Sequence, residues 1–118
     1  MTHKDLDVWK KSIELVTVIY DITKQFPKEE MFELISQMRR AAISIPSNIA
    51  EGATRNSKKE FKQFLYIALA SASELETQLI IAKNLNYINK ELEQNLVLEL
   101  NMISRMLQGL IKSIKIGD

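Results

Sequence analysis

The middle of the chain concentrates positive charge and is the part of the sequence best suited to binding phosphate. Residues 55–62 hold four basic side chains and one acidic side chain, Glu60, for a net charge of +3. Lysine and arginine neutralise the phosphates of nucleic acids, so this cluster is the best candidate for a phosphate-binding site. The alternative is a solvated loop that only improves solubility. The predicted contacts in this cluster are Arg55, Lys58, Lys59 and Lys62.

Two further arginines precede this cluster. Arg40 is fifteen residues before Arg55, which corresponds to roughly 22 Å along a helix that rises 1.5 Å per residue. One chain would thus offer two separate basic spots, and a ring of copies would repeat them, so we include Arg40 among the predicted nucleic-acid contacts. The adjacent Arg39 flanks a predicted core line, and we expect it to pair with a carboxylate on a neighbouring helix, Glu74 or Glu76.

The residue types that usually carry catalysis or bind metals are scarce. His3 is the only histidine, and it lies in an N-terminal stretch that we expect to fray. The Glu-x-x-His pairs of di-iron bundles do not occur, and Glu74 and Glu76 are two apart and so lie on different helix faces. Gly52 stands alone, so the sequence has no glycine-rich phosphate loop. We therefore predict no enzymatic activity, no bound metal and no cofactor.

A polar stripe crosses the region around Pro46 at steps of four, three and four. Such a stripe is either a solvated helix face or the lining of an oligomer channel or partner contact. Its members are Arg40, Ser44, Ser47 and Glu51. Asn48 and Glu51 either brace the helix at Pro46 or face a ligand. We favour bracing, because such side chains often satisfy backbone groups near helix ends.

Hydrophobic periodicity predicts an all-α protein, an antiparallel up-and-down four-helix bundle in one domain. Three glycines and two prolines leave too few turns for a sheet protein of this length. Pro27 suits the first turn of the second helix, and Pro46 should bend that helix without breaking it. Ser57 and Glu60 form a capping box for the third helix, and Asn89 caps the fourth. The predicted helices are 5–25, 28–54, 58–84 and 90–115.

The first helix carries two neighbouring apolar lines. We take as its core line Leu6, Trp9, Ile13, Val16, Tyr20 and Thr23. The second line lies beside the first and either contacts another subunit or widens the core; it is Val8, Leu15, Ile19, Ile22 and Phe26. The second helix has one clear line, Ile35, Met38, Ala42, Ile45 and Ile49.

Several helices carry more apolar surface than one core face needs. A bundle helix requires an apolar stripe little wider than about 100°, and large apolar patches are uncommon on monomers. We therefore expect self-association, although a wider core is the alternative. The predicted oligomer interface is Tyr66, Ile67, Ala70, Leu98 and Met102.

Length and composition fit one globular domain. The chain has 118 residues, of which 46% are hydrophobic and 26% charged, a balance typical of folded proteins. Its net charge is +1, so binding to nucleic acid requires a local patch. The longest run of apolar or small residues, 64–73, is about half of the ~20 residues that cross a bilayer, and the N-terminus lacks an apolar signal core. We expect a cytoplasmic protein with no membrane partner, which suits the absence of cysteine.

The segment 36–52 resembles the signature of a known family, the four-helix bundle proteins encoded in intervening sequences of bacterial large-subunit ribosomal RNA genes, also called S23 proteins. The segment includes the predicted structural residues Arg39, Pro46, Asn48, Glu51 and Gly52. Further matching positions cover nearly the whole chain, and they are Trp9, Phe26-Pro27, Arg55, Phe61, Phe64-Leu65 and the segment around Glu74.

The resemblance implies a bundle that assembles as a ring, plausibly a homopentamer. It also implies kinship with the basic accessory proteins of diversity-generating retroelements, which assist a reverse transcriptase. The nearly balanced charge of this chain favours the intervening-sequence branch. Our leading hypothesis is a non-enzymatic oligomer that binds RNA or a ribonucleoprotein through phosphate contacts. The alternative is a scaffold that binds a partner protein through its apolar surface and has no role with nucleic acid.

Overall fold

The computed structural model describes residues 2–116, and this range contains four α-helices and no strand. Consecutive helices pack against each other and the first also contacts the fourth, so they close into an up-and-down bundle of 51 × 24 × 22 Å. The predicted all-α four-helix bundle is confirmed. The helices are α1 (Asp7–Thr23), α2 (Leu34–Ala53), α3 (Lys58–Asn84) and α4 (Lys90–Ser113), with 3₁₀ turns at His3–Asp5 and Lys28–Glu30.

α2 begins at Leu34 rather than at residue 28, where the sequence predicted its start. Pro27 has a ψ of 141° and leads only into the short 3₁₀ turn Lys28–Glu30. Glu33 has φ −118° and ψ −107°, outside the helical region, so an α-helix cannot run through it. The chain between α1 and α2 is therefore an irregular segment that carries acidic and apolar side chains.

The core face of α1 is the second predicted line, and our choice of the first was wrong. Ile13 of the first line is 40% exposed, and of that line only Thr23 is buried. Both lines have helical spacing, so periodicity did not separate them. The large rings of Trp9 and Tyr20 favoured the first line as the core face. Each is only half-buried, as is common for rings with a polar edge. The buried apolar residues of α1 and its C-terminal extension are Val8, Leu15, Ile19 and Phe26.

α2 supplies the predicted core line and continues through Pro46. All five residues of the line, Ile35 to Ile49, are buried, and the helix is unbroken from Leu34 to Ala53. The amide Nδ2 of Asn48 donates to the carbonyl oxygen and to the hydroxyl of Ser44, both at 2.8 Å. This side chain therefore braces the turn that contains the proline. The extent of bending at this point stays a prediction.

α2 and α3 run antiparallel at close range. The hydroxyls of Ser44 and Ser71 are 2.8 Å apart, which places these residues opposite each other. Further along, a Cβ on Gly52 would lie 2.8 Å from Cβ of Phe64 and 3.2 Å from the carbonyl oxygen of Phe61. Only a residue without a side chain allows this approach, so Gly52 is a packing residue that joins the end of α2 to the start of α3.

Side chains cap both long helices at the predicted positions. The hydroxyl of Ser57 accepts from the backbone N–H of Glu60 at 3.2 Å, one of the two bonds of the predicted capping box. The side-chain oxygen of Asn89 accepts from the backbone N–H of Leu92 at 2.8 Å. These bonds satisfy helix N–H groups that have no partner inside the helix.

The α3–α4 connection is joined to the α1–α2 connection at one end of the bundle. Asn86 has φ 64°, and the backbone N–H of Tyr87 donates to the carbonyl oxygen of Ala82 at 2.9 Å, which is the Schellman pattern of a helix C-terminus. The Tyr87 hydroxyl then donates to Glu30 at 2.7 Å, and its ring packs at 5.1 Å from that of Phe26. The two connections are thereby held together.

Candidate nucleic-acid interface and exposed apolar faces

The predicted basic cluster lies on the α2–α3 connection and the first turn of α3. Lys58 and Lys59 are exposed, whereas Lys62 is half-buried. The N-terminus of a helix carries a partial positive charge, so the first turn of α3 adds to the positive potential of these side chains. Lys58 and Lys59 are the members of the cluster that are best presented to a phosphate.

Arg55 is held against the ends of both helices. One guanidinium nitrogen lies 3.8 Å from a carboxylate oxygen of Glu51, and the guanidinium carbon is 4.9 Å from the ring centre of Phe64. The ion pair is exposed and therefore weak, and a phosphate could replace the carboxylate. Glu51, which the sequence placed as a brace for Pro46, instead pairs with Arg55.

Charge is separated along the bundle. The half that contains the α2–α3 connection consists of residues 2–14, 44–70 and 104–116, which hold ten Lys and Arg and five Asp and Glu, for a net charge of +5. The other half consists of residues 15–43 and 71–103, which hold six and nine, for a net charge of −3. The balanced charge of the whole chain conceals this polarity, which extends over the 51 Å axis.

The structure does not bring Arg40 together with the basic cluster. Arg40 is exposed, but it lies in the acidic half, roughly 20 Å along α2 from the end of that helix at Ala53. There it lines the rim of a groove between α1 and α2, beside Tyr20 and Phe32. The lining of this groove is mainly apolar, with Arg39 beside Arg40 and no carboxylate.

Arg39 does not reach a carboxylate, so its predicted partner was wrong. Its Nε donates to the hydroxyl of Thr23 at 2.9 Å, and its guanidinium carbon lies 4.4 Å from the ring centre of Tyr20. Both partners belong to α1, whereas Glu74 and Glu76 belong to α3. The residue does act structurally, as a link between α1 and α2.

The polar stripe of α2 is not one solvated face. Ser44 is half-buried and bonded to Asn48 and Ser71, so it belongs to the contact between α2 and α3. Ser47 and Glu51 are exposed. The stripe therefore divides into one interhelical position and a solvent-facing remainder.

Gln78 continues this polar seam on α3 and is incompletely satisfied. It is 4% exposed, and its amide nitrogen lies 3.4 Å from a carboxylate oxygen of Glu74. Its amide oxygen is buried and has no hydrogen-bond partner.

Within residues 2–116 no group of three or more histidine or acidic side chains could hold a metal ion.

The N-terminal stretch is ordered rather than frayed. The hydroxyl of Thr2 and the carboxylate of Asp5 form a reciprocal capping box around the first 3₁₀ turn. The ring of His3 packs edge-on against Trp9, with 5.3 Å between the ring centres. His3 therefore covers one end of the groove between α1 and α2.

Two apolar grooves lie between helix pairs. The α1/α2 groove consists of two cavities of about 290 Å³ each that share Ile43. The α3/α4 groove has a cavity of about 500 Å³ at the acidic end and one of about 390 Å³ nearer the basic end. The apolar lining of the first includes Trp9, Ile13, Val16, Tyr20, Ile43 and Pro46, and that of the second includes Tyr66, Leu69, Ile80, Val97 and Leu98.

The five predicted interface residues are all exposed in the single chain, but they do not form one surface. Tyr66 and Leu98 line the α3/α4 groove. Ile67 is one turn from Ser71 and thus lies toward α2. Ala70 and Met102 are exposed outside the described groove linings.

The sequence reasoning missed Phe32, whose residue is 92% exposed. It had been placed inside the second helix, where no special role was assigned. One signal in the sequence could have indicated an exposed apolar residue here. The apolar pair Met31-Phe32 follows a proline turn and has a charged residue on each side, Glu30 and Glu33.

Comparison with known proteins identifies the family of this chain. The family model described as 23S rRNA-intervening sequence protein matches residues 4–109. The chain belongs to this family. A solved structure of a protein of unknown function from the S23 ribosomal protein family of Bacteroides thetaiotaomicron is similar, with 30% identity and a TM-score of 0.83 over 90% of this chain and 96% of that one. No curated protein matches.

Family membership confirms the resemblance read from the segment 36–52 and agrees with the fold. The link to accessory proteins of diversity-generating retroelements stays a prediction.

By length and apolar composition α3 could span a membrane, but core helices of soluble proteins have the same property. In α3, 39% of the most apolar window is buried in the bundle, and the exposed apolar residues of this helix include Tyr66, Ile67 and Ile80.

Proposed function

We propose that the protein is a non-enzymatic, self-associating bundle that binds RNA, free or in a ribonucleoprotein, through phosphate contacts at its basic end. The observation that carries the proposal is the charge separation along the bundle, with +5 on one half and −3 on the other. A polyanion is attracted to one end and repelled from the other, so the small net charge of the chain does not argue against RNA binding. The reducing cytoplasm is the compartment we propose, which suits a chain without cysteine.

The contacts at the basic end are Lys58 and Lys59, supported by Lys62 and Arg55. The two exposed lysines supply free ammonium groups beside the N-terminus of α3. Arg55 joins them by exchanging its weak pair with Glu51 for a phosphate. A single chain offers few such contacts, and self-association into a ring, a pentamer by the family resemblance, would multiply them through avidity.

The test is the affinity of the purified protein for a fluorescent RNA hairpin as a function of salt concentration. Reversal of charge in the double variant Lys58→Glu, Lys59→Glu should abolish binding at about 0.15 M salt, because it replaces two phosphate contacts by repulsion. Neutralisation in the variant Lys58→Gln, Lys59→Gln should make the log–log salt dependence shallower by roughly two, about one for each lost contact.

The matched control reverses two lysines at the other end of the bundle, Lys28 and Lys90, both exposed. The double variant Lys28→Glu, Lys90→Glu changes the net charge equally and should leave RNA affinity within about twofold, because local contacts dominate. An affinity that is indifferent to salt, or equal losses in both double variants, would overturn the proposal.

A partner protein is the second candidate, and the exposed apolar grooves favour it. In that case Tyr66→Asp should disrupt complexes recovered from cells, while reversal of Lys58 and Lys59 should leave them intact. Tyr66 is 55% exposed, so its replacement should not unfold the bundle. The corresponding variant Ile67→Asp tests the adjacent edge of α3.

A further inference from the structure

Tyr66 is an exposed aromatic residue in the basic half of the bundle. It is 55% exposed, and it lines a cavity of about 390 Å³ between α3 and α4. Both helix segments that form this cavity belong to the half whose net charge is +5. An aromatic ring is therefore presented to solvent within the cationic part of the molecule. The cavity is lined by Tyr66, Leu69, Gln108, Ile111 and Lys112.

Lysines lie on the same side of α3 as this ring. Lys62 precedes Tyr66 by four residues and Lys59 precedes it by seven, so the three share one stripe of the helix. One helical turn is about 5.4 Å, so both ammonium groups are within reach of a strand that passes over the ring. Lys112 brings a third ammonium group to the cavity from α4.

The cavity offers the contacts that an unpaired base needs. The ring of Tyr66 supplies a stacking face beside the apolar side chains of Leu69 and Ile111, and proteins that bind single-stranded nucleic acid commonly stack bases on aromatic side chains. The exposed amide of Gln108 can both donate to and accept from the edge of a base. None of the residues that line the cavity is acidic, so the lining does not repel the adjoining phosphates.

The ring of Tyr66 is free on its face, whereas other aromatic rings of the chain are covered. Trp9 packs edge-on against His3, and the guanidinium carbon of Arg39 lies 4.4 Å from the ring centre of Tyr20. In the described part of the chain, Tyr66 has no aromatic or guanidinium partner of this kind. A base can therefore stack on it without displacing another side chain.

We infer that the RNA bound at the basic end is single-stranded, and that an unpaired base stacks on Tyr66 while the flanking phosphates contact Lys62 and Lys112. Gln108 contacts the edge of the stacked base. A duplex keeps its bases stacked on one another, so it can use the lysines but not the ring. The inference rests on the RNA binding in the proposed function, for which it names the form of RNA. Tyr66 is then a base contact rather than the oligomer contact that the sequence predicted.

The test is the affinity of the purified full chain for two fluorescent probes, an oligouridine of about twelve nucleotides and an RNA duplex of about the same length. Oligouridine forms no base pairs, so its bases are free to stack on the protein. Tyr66→Ala should weaken the binding of oligouridine by about tenfold and change the binding of the duplex by less than about twofold. Tyr66→Phe keeps the aromatic face and should bind oligouridine within about twofold of the wild type.

The salt dependence separates stacking from phosphate contacts. Tyr66→Ala should lower the affinity for oligouridine at every salt concentration without changing the log–log slope, because the ring releases no counterions. Lys112→Gln should weaken the binding of both probes and make the slope shallower by about one, because it removes a phosphate contact. Equal losses for both probes in Tyr66→Ala would overturn the inference, because the variant would then have altered only the lysine surface.

The matched control is Ile67→Ala, which removes the neighbouring apolar side chain of α3. Ile67 is 47% exposed but lies toward α2 and outside the cavity, so both affinities should stay within about twofold of the wild type. Light scattering on a sizing column should give Tyr66→Ala the same mass as the wild type. A change of mass would place the ring between copies of the chain and would contradict its role as a base contact.

RNA binding and base stacking can fail separately in these titrations. Binding of both probes that is lost on reversal of Lys58 and Lys59, but is indifferent to Tyr66→Ala, refutes base stacking alone. A wild type that binds neither probe at about 0.15 M salt refutes both proposals.

Discussion

Tyr87 is the residue whose acid–base behaviour the fold changes. Its hydroxyl donates to Glu30, and this hydrogen bond is the main reason that the pKa of Tyr87 is raised above 10.0; partial burial and the negative charges of Glu30 and Glu29 add to it. The protonated phenol is thus favoured in the folded chain. Tyr87 joins two connections that are far apart in sequence, so the bond contributes to tertiary structure.

Tyr87 should therefore make stability depend on alkaline pH. A raised folded-state pKa means that the contribution is complete below about pH 10 and is lost as pH rises through the folded value. The wild type should be more stable than Tyr87→Phe at about pH 8, and the difference should shrink by about pH 11, as measured by denaturant unfolding. A difference that stays constant with pH would show that the phenol contributes only packing.

Gln78 carries a buried amide oxygen that has no hydrogen-bond partner, which should lower stability. A buried polar atom without a partner costs about 1–3 kcal/mol, and an apolar side chain of similar shape removes that cost. Gln78→Met should therefore raise the free energy of unfolding by about 1 kcal/mol, measured from the denaturant midpoint. The adjacent exposed Thr77→Met should change it by less than about 0.5 kcal/mol. A destabilised Gln78→Met variant would mean that the amide oxygen has a partner in solution.

At the scale of elements, the approach of α2 to α3 depends on Gly52. Gly52→Ala would place a methyl group 2.8 Å from Cβ of Phe64, and the two helix ends would have to separate. We expect a loss of about 1–3 kcal/mol in the free energy of unfolding. Gly109 of α4 has open space around it, so Gly109→Ala should instead stabilise by about 0.5–1 kcal/mol. Thermal or denaturant unfolding of both variants checks the opposite signs.

Helix number, two helix caps and the core line of α2 followed from sequence because they depend on local spacing and cap chemistry. Periodicity in α2 left one apolar line, and all of it is buried. In α1 two lines fit equally well, and only tertiary packing selects Leu15 and Ile19 over Ile13. The partner of Arg39 was missed for the same reason, since Thr23 becomes its acceptor only when α1 and α2 are placed side by side.

At the scale of the whole molecule, only part of the candidate RNA-binding site could be predicted from the sequence. The cluster from Arg55 to Lys62 is contiguous in sequence and therefore visible there. The charge separation is not, because the basic half combines three segments that only an up-and-down topology brings to one end. The same topology moves Arg40 into the acidic half, where sequence distance alone had suggested a second contact of the same kind.

The charge separation along the bundle would determine the orientation in which the molecule approaches RNA. The bundle is an elongated body with a permanent electric dipole along its 51 Å axis. The described chain thus has a cationic end and an anionic end. Such a body is expected to turn its cationic end toward a polyanion as it approaches. In the proposed RNA complex the anionic end would face outward and repel a second RNA strand, so the protein would coat one strand and would not cross-link two.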